Sequence, residues 1–187
     1  MSVTLFVRQT RPIDLQEVAS EVGDALQRLL NLPQKPVITV IFDADFRLGD
    51  TSLPNLSPAS CRVLCSIEGY PEQVAVMPLV IPHGTKGEDG KWSFVDCDFI
   101  SIRWQMHKSP LCFALWAAAA SALAKWMNST VKDYAWFFTV SDESTPTEFL
   151  NAVRLTQIQT EIRSAAEEFF NRLPMGGSAV PDRESHP

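Results

Sequence analysis

One uncharged, alanine-rich segment between Lys108 and Lys125 constrains the fold of this chain more than any other feature. It reads SPLCFALWAAAASALA and contains no acidic or basic residue. A membrane-spanning helix needs about 20 consecutive apolar residues, so the segment is too short to cross a bilayer. Ser109 is a favourable N-cap and Pro110 a favourable first helical residue. Because a helix that is apolar around most of its circumference must be covered on several sides, we predict a buried central helix here.

Strands are predicted on both sides of this helix. Short runs of β-branched, aromatic or alternating residues, bounded by glycine and proline, are typical of strands. They occur at residues 3–7, 37–42, 62–68, 74–81, 92–104 and 134–140. Pro78 predicts a bulge or an edge within its strand. The segment from residue 43 to 60 is expected to be a long loop, and the segment from 83 to 91 a turn loop.

Two further helices are indicated by capping residues. Asp14 is a suitable N-cap with Glu17 at the capping-box position, and the helix that they begin ends before Pro33. Thr145 and Glu148 form a second capping box, with proline at the first helical position. Apolar residues then recur at helical spacing, which predicts one long final helix. Its expected core-facing residues are Leu150, Val153, Ile158, Ile162, Ala165, Phe169 and Leu173.

The element order β-α-β-β-β-β-α-β-α predicts an α+β fold. We expect a single domain over residues 1–173, in which a largely antiparallel mixed sheet of about six strands packs with three helices. Residues 174–187 contain too few apolar side chains to offset the entropy lost on ordering. A disordered C-terminal tail is therefore predicted.

Charge and cysteine content limit the classes of partner. The chain has 16 Lys and Arg against 22 Asp and Glu, a formal net charge of -6, and a pI of about 5.0. Without a basic block, binding to nucleic acid is not expected, and neither is binding to a membrane. The N-terminal sequence lacks the apolar run of a signal peptide, and four cysteines in a chain of this length are typical of reduced thiols. We therefore expect a cytoplasmic protein.

A pair of aspartates lies within the long strand predicted at residues 92–104. Strict alternation puts Trp92, Asp96, Asp98 and Trp104 on one face, so that neither face is uniformly apolar. A bulge near Asp98 would exchange the two faces and bury the apolar residues in the core. Without a bulge, aromatic and carboxylate groups are exposed together, which suits a partner that carries Arg or Lys. The sequence leaves both alternatives open.

A second aspartate pair, Asp43-Ala44-Asp45, follows a strongly β-branched strand. Over about ten residues, the pattern resembles the first motif of haloacid-dehalogenase-type phosphatases. That resemblance implies a nucleophilic aspartate, a bound Mg²⁺ and a doubly wound parallel sheet. The chain departs from the motif at Arg47, where the family normally has Thr or Val. A metal-dependent hydrolase that uses Asp43 and Asp45 is the alternative function that this motif suggests.

Other catalytic and metal-binding patterns are missing from the sequence. His83, His107 and His186 have no metal-ligand spacing, and no Cys-x-x-Cys occurs. There is no Gly-x-Ser-x-Gly elbow, P-loop or dinucleotide fingerprint. We predict no catalytic residue, metal or cofactor.

The sequence therefore favours a non-enzymatic, acidic, protein-binding protein. The class that it suggests is a bacterial immunity or antitoxin-type protein, an inhibitor that neutralises a partner toxin by masking a basic surface or active site. This is an analogy between classes of protein. A structural subunit that uses the exposed side of the final helix is a further alternative, and no oligomeric state is predicted. The expected partner-binding residues are Trp92, Trp104, Asp96, Asp98, Glu88, Asp89, Asp43 and Asp45.

Overall fold

The computed structural model describes most of the chain. The described residues are 4–11, 13–42, 52–53, 63–86, 92–104, 109–135, 137–139 and 141–174. For residues 13, 15, 41–42, 52–53, 77–86, 92–98 and 103–104 the description is limited to the backbone.

Within the described residues, nine strands form one large sheet and one small sheet. The strands are β1 (Leu5–Arg8), β2 (Ile13–Asp14), β3 (Ile38–Phe42), β4 (Ser52–Leu53), β5 (Val63–Ile67), β6 (Gln73–Lys86), β7 (Trp92–Trp104), β8 (Val131–Lys132) and β9 (Glu143–Ser144). The large sheet has the order β3-β5-β6-β7-β1-β8-β9, and β2 pairs with β4. Every pairing is antiparallel. The predicted α+β class and the largely antiparallel sheet are therefore confirmed.

The described residues contain four helices: α1 (Leu15–Leu30), α2 (Pro110–Trp126), α3 (Pro146–Val153) and α4 (Ile162–Arg172). The first three contact strands of the large sheet, and α4 packs on α2 and α1. The central helix α2 contacts strands of the large sheet as well as α1, α3 and α4. All residues from Leu111 to Ala124 are buried, and the indole N–H of Trp116 donates to the carbonyl oxygen of Ile102 at 2.7 Å. The uncharged segment is thus the buried central helix that the sequence predicts. No helix in the described part of the chain is both long and apolar enough to cross a membrane.

The predicted caps hold these helices in place. The carboxylate of Asp14 accepts from the first backbone N–H groups of α1, Ser109 caps α2, and Thr145 and Glu148 form the full capping box of α3. At the other end of α1, Asn31 adopts the left-handed conformation with φ 49°. Gly23 allows α1 to approach the segment before β3, because a Cβ there would lie 2.7 Å from the carbonyl oxygen of Pro36.

The predicted aromatic strand at residues 134–140 is wrong. The described residues of this segment form turns and bends between β8 and β9. The cause is the buried carboxylate of Asp133, which accepts backbone N–H groups of Phe137, Phe138 and Thr139 at 3.1, 2.7 and 3.2 Å. These bonds turn the backbone around one side chain, so the N–H groups cannot join a strand ladder. The aromatic rings then pack with Trp116 in the core.

The prediction of a single final helix is also wrong, because residues 154–161 separate α3 from α4. Arg154 has the extended angles φ -65° and ψ 150°, and the N–H of Leu155 donates to the carbonyl oxygen of Leu29 at 2.8 Å. A hydrogen bond to another helix replaces the one that would continue α3. Ile158 lies in this break and is 75% exposed, although the helical spacing predicts it in the core. Val153, Ala165, Phe169 and Leu173 are buried as predicted.

Four smaller expectations have different outcomes. His83 to Lys86 continue β6 and are not part of a turn loop. The register across Pro78 is uninterrupted, so no bulge occurs in this pairing, but β5 pairs only with residues 73–76 and Pro78 lies beyond it. The long loop contains the short strand β4. The predicted tail from 175 to 187 lies outside the described residues.

Candidate partner-binding surface

The two longest strands of the sheet, β6 and β7, continue beyond their neighbours as a two-stranded ribbon. β1 pairs with β7 only from Phe99 to Ile102, and β5 pairs with β6 only as far as Val76. From the pair Val80–Asp98 to the pair Lys86–Trp92, these strands have no partner in the described chain except each other. At about 3.4 Å per residue, this β-ribbon (residues 80–86 and 92–98) is roughly 20 Å long.

The register of the β-ribbon decides between the two alternatives for Asp96 and Asp98. Every β7 residue from Trp92 to Trp104 is paired in turn with a β6 residue, and no position is skipped. A bulge would place two residues opposite one, so this pairing contains none. Positions 96 and 98 therefore stay on the face of Ile100 and Ile102, which are fully buried in the helix-side core. The opposite face is buried as well where β7 is flanked by two strands, at Phe99 and Ser101.

One face of the β-ribbon combines aromatic and acidic positions. Alternation from Ile100 outward places Asp98, Asp96, Phe94 and Trp92 along β7 on this face. The β6 positions opposite them are Val80, Pro82, Gly84 and Lys86. Sequence reasoning misses the last three because it ends the strand at residue 81. The length of β7 is a signal that could have predicted these positions, because a strand of 13 residues needs a partner strand of similar length.

The acidic segment that begins at Asp43 leaves the sheet at the same end as the β-ribbon. One row of paired residues crosses four strands through Phe42, Val63, Val76 and Ile102. β3 ends at this row with Phe42, while β6 and β7 continue past it. The chain therefore enters the segment that contains Asp43 and Asp45 from the end of the sheet where the β-ribbon extends.

The predicted site residues fall into two groups. Trp92, Asp96, Asp98 and Trp104 are on β7, where the backbone places the first three on the β-ribbon and Trp104 opposite Val74 in the body of the sheet. Asp43, Asp45, Glu88 and Asp89 lie outside the described residues. Glu88 and Asp89 belong to the connection between Lys86 and Trp92, the two ends of the β-ribbon.

Several other acidic side chains have partners within the protein. Glu72 is buried, and its Oε1 accepts from Arg163 at 2.9 Å and from Ser109 at 3.1 Å. Its Oε2 is buried without a hydrogen bond. Glu143 binds Lys132 at 2.8 Å and also Thr130. Hydrogen bonds from Lys132 and then Thr130 lower the pKa of Glu143, so it is held as an internal ion pair.

Metal or thiol chemistry has no support among the described residues. They contain no group of three or more His, Cys, Asp or Glu side chains that could hold a metal ion. Cys65 and Cys112 are buried free thiols, and burial raises the pKa of Cys65 to about 12. Such a thiol is a poor nucleophile. The antiparallel sheet also differs from the parallel sheet that the phosphatase resemblance implies.

Comparison of the chain with protein-family models, curated proteins and solved structures gave no match.

Proposed function

We propose that this chain is a non-enzymatic protein-binding protein that captures a partner with a basic surface through the β-ribbon. The proposal rests on one observation: the register places Trp92, Phe94, Asp96 and Asp98 on one face of strands that extend beyond the sheet. The protein class that this fits is a bacterial immunity or antitoxin protein, acting in the cytoplasm and inhibiting a toxin by covering its basic surface or active site.

The aromatic and the acidic residues of the β-ribbon would make different contributions to binding. Aromatic side chains supply large contact areas and are frequent among the residues that dominate binding energy. Carboxylates at Asp96 and Asp98 would orient a partner that carries Arg or Lys and raise its association rate. The net charge of -6 adds long-range attraction for a basic protein.

The dimensions of the β-ribbon suggest that it does not act alone. Two strands about 4.8 Å apart and roughly 20 Å long present a face of about 200 Å², whereas a specific interface buries about 800 Å² on each partner. Further contacts are therefore needed. The acidic residues next to the β-ribbon in the chain, Glu88 and Asp89, and those that leave the same end of the sheet, Asp43 and Asp45, are the natural additions.

Partner binding would also stabilise the β-ribbon itself. A two-stranded hairpin is only marginally stable in water when nothing covers its faces. Covering the face of Asp96 and Asp98 with a partner gives the strands a third layer to pack against. In this binding mode the two strands of the β-ribbon stay paired with each other, and the partner buries one of their faces.

The proposal is tested by calorimetry with a basic candidate partner, taken from a pull-down in the source cell or from a neighbouring gene that encodes a basic protein. The variant Asp96→Lys with Asp98→Lys should weaken binding at least about 100-fold, because charge pairs in an interface become like-charge contacts. The control reverses two exposed acids elsewhere, Glu68→Lys with Glu167→Lys, and changes the net charge equally. Its affinity should fall less than about tenfold, through weaker long-range attraction alone.

Two outcomes would contradict the proposal. Equal losses of affinity in both variants would mean that only the overall charge matters. No binding by the unaltered chain would mean that the tested protein is not a partner of this chain.

The hydrolase alternative is decided by titrating Mg²⁺ and Mn²⁺ into the chain and into Asp43→Asn. Millimolar or tighter metal binding that Asp43→Asn abolishes would favour hydrolysis over partner capture. The long final helix on which the structural-subunit alternative relied is divided into α3 and α4, so that alternative, which stays a prediction, now depends on the exposed side of α4.

A further inference from the structure

A groove of about 410 Å³ lies on the helical side of the molecule, between α1, the end of α2 and α3. Its floor includes Ala25, Ala122 and Ala124, whose small side chains leave the space open. Its volume is in the range of sites for small molecules. The groove is separate from the β-ribbon, so a ligand bound in the groove would be independent of the proposed function.

Two arginines, Arg28 and Arg154, line one end of this groove. They are brought together by the hydrogen bond from Leu155 N–H to the carbonyl oxygen of Leu29, because each arginine directly precedes one of the bonded residues. Asn31 strengthens the junction through its side-chain amide, which donates to the carbonyl oxygen of Thr156 at 3.1 Å. Both arginine side chains therefore start from one junction and line the same groove.

Neither arginine is neutralised within the described chain. The acids of the groove have other partners: Glu21 binds Lys125 at 2.6 Å and Asp24 binds Lys35 at 2.9 Å. No carboxylate of a described residue contacts Arg28 or Arg154. Two exposed guanidinium groups that line one groove are available to bind an anion there.

The backbone carbonyl groups at the ends of the helices do not serve as partners for the two arginines. The last carbonyl groups of α1 already accept backbone N–H groups of Asn31, Leu32 and Leu155, and the N–H of Arg154 donates to the carbonyl oxygen of Leu150. Both arginine residues are exposed and keep their guanidinium N–H donors for a ligand. The planar guanidinium group binds a carboxylate or phosphate through two parallel hydrogen bonds.

We propose that this groove binds a small ligand that carries a carboxylate or a phosphate group, with Arg28 and Arg154 holding the anion. Thr147 and Asn151 of α3 line the same groove. Their hydroxyl and amide groups can donate or accept hydrogen bonds, which suits the uncharged polar part of such a ligand.

Calorimetric titration of the full chain with inorganic phosphate, and separately with glutarate, tests this site. Arg28→Gln and Arg154→Gln should each weaken binding of the preferred anion at least about tenfold, because hydrogen bonds to charged groups are strong. Tighter binding of phosphate identifies a phosphate ligand, and tighter binding of glutarate identifies a carboxylate ligand. The control is Arg8→Gln, an exposed arginine that does not line this groove, and it should bind like the unaltered chain.

Urea unfolding of each variant verifies that the fold is kept, as expected for exposed side chains. The proposal is overturned if neither anion binds at millimolar concentration. It is equally overturned if Arg8→Gln loses as much affinity as the two groove variants, because the anion would then respond to net charge and not to this site.

Discussion

Asp133 shows how one buried side chain can determine the path of the backbone. It is 1% exposed and accepts three backbone N–H groups. An ionised carboxylate has only acceptor sites, so three donors satisfy a charge that would otherwise be costly to bury. The same bonds place Phe137 and Phe138 against Trp116. The residue thus joins the β8–β9 connection to the central helix.

Replacing Asp133 should be strongly destabilising. Asp133→Ala leaves buried N–H groups without acceptors, so we expect the free energy of unfolding in urea to fall by about 3 kcal/mol. Asp133→Asn keeps one acceptor oxygen and should cost about half as much. The control Asp24→Ala removes a surface ion pair and should cost less than about 1 kcal/mol. Similar stabilities for Asp133→Ala and the control would show that the three hydrogen bonds do not hold this segment.

Caps could be read from the sequence because they are local. Thr145 and Glu148 are three residues apart and satisfy each other's backbone donors, so four residues are enough to predict them. The role of Asp133 could not be predicted in this way. Its neighbours have high strand propensity, but that propensity depends on the surroundings, and the deciding bonds exist only once the chain is turned.

At the scale of elements, the β8–β9 hairpin is held by the ion pair of Lys132 and Glu143. The hydrogen bond from Lys132, followed by that from Thr130, lowers the pKa of Glu143 from its usual 4.5. A pKa that is lower in the folded state stabilises the protein above 4.5, and this contribution is lost as the pH falls through the folded value. Because Glu143 is about half exposed, the contribution is small.

The variant Glu143→Gln keeps the shape and removes the charge. At neutral pH its free energy of unfolding should be lower than that of the unaltered chain by up to about 1 kcal/mol. Urea unfolding at a series of decreasing pH values should show the two curves converging in acid, where Glu143 is protonated in both states. A difference that stays constant down to acidic pH would mean that charge does not contribute.

The division between α3 and α4 predicts unequal costs along the final segment. Ile158→Ser should change the free energy of unfolding by less than about 0.5 kcal/mol, because Ile158 is 75% exposed. Phe169→Ala should cost about 3–5 kcal/mol, because Phe169 is fully buried. Comparable losses on thermal or urea unfolding would restore the single amphipathic helix, in which both residues face the core.

Helix continuity could not be predicted where tertiary contacts decide it. The apolar spacing from Leu150 to Val153 and from Ile162 to Phe169 is helical, and those stretches form helices. Between these stretches, the hydrogen bond from the N–H of Leu155 to the carbonyl oxygen of Leu29 ends the helix despite the helical spacing. That bond joins residues far apart in sequence. The spacing of five positions from Val153 to Ile158, where a helical stripe has three or four, is the one local sign of the break.

At the scale of the whole molecule, the antiparallel topology makes the β-ribbon extend from the same end of the sheet at which β3 ends with Phe42. Alternation along residues 92–104 groups Trp92, Asp96 and Asp98 on one face only when no bulge intervenes, and the continuous register is what excludes a bulge. The sequence could not show that β6 and β7 continue beyond β5, which reaches no further than the row of Phe42, or beyond β1, which pairs with β7 as far as Phe99. Those facts depend on strand order and register, which are set by contacts between distant segments.

Hydrogen exchange of the chain, alone and with the proposed basic partner, tests the β-ribbon as the binding surface most directly. Amides of residues 80–86 and 92–98 should exchange more slowly in the complex, because the partner covers one face and stabilises strands that pair only with each other. Amides of α4 should be unchanged. Slower exchange in α3 and α4 with no change in the β-ribbon would contradict the account and move the interface to the helical side of the molecule.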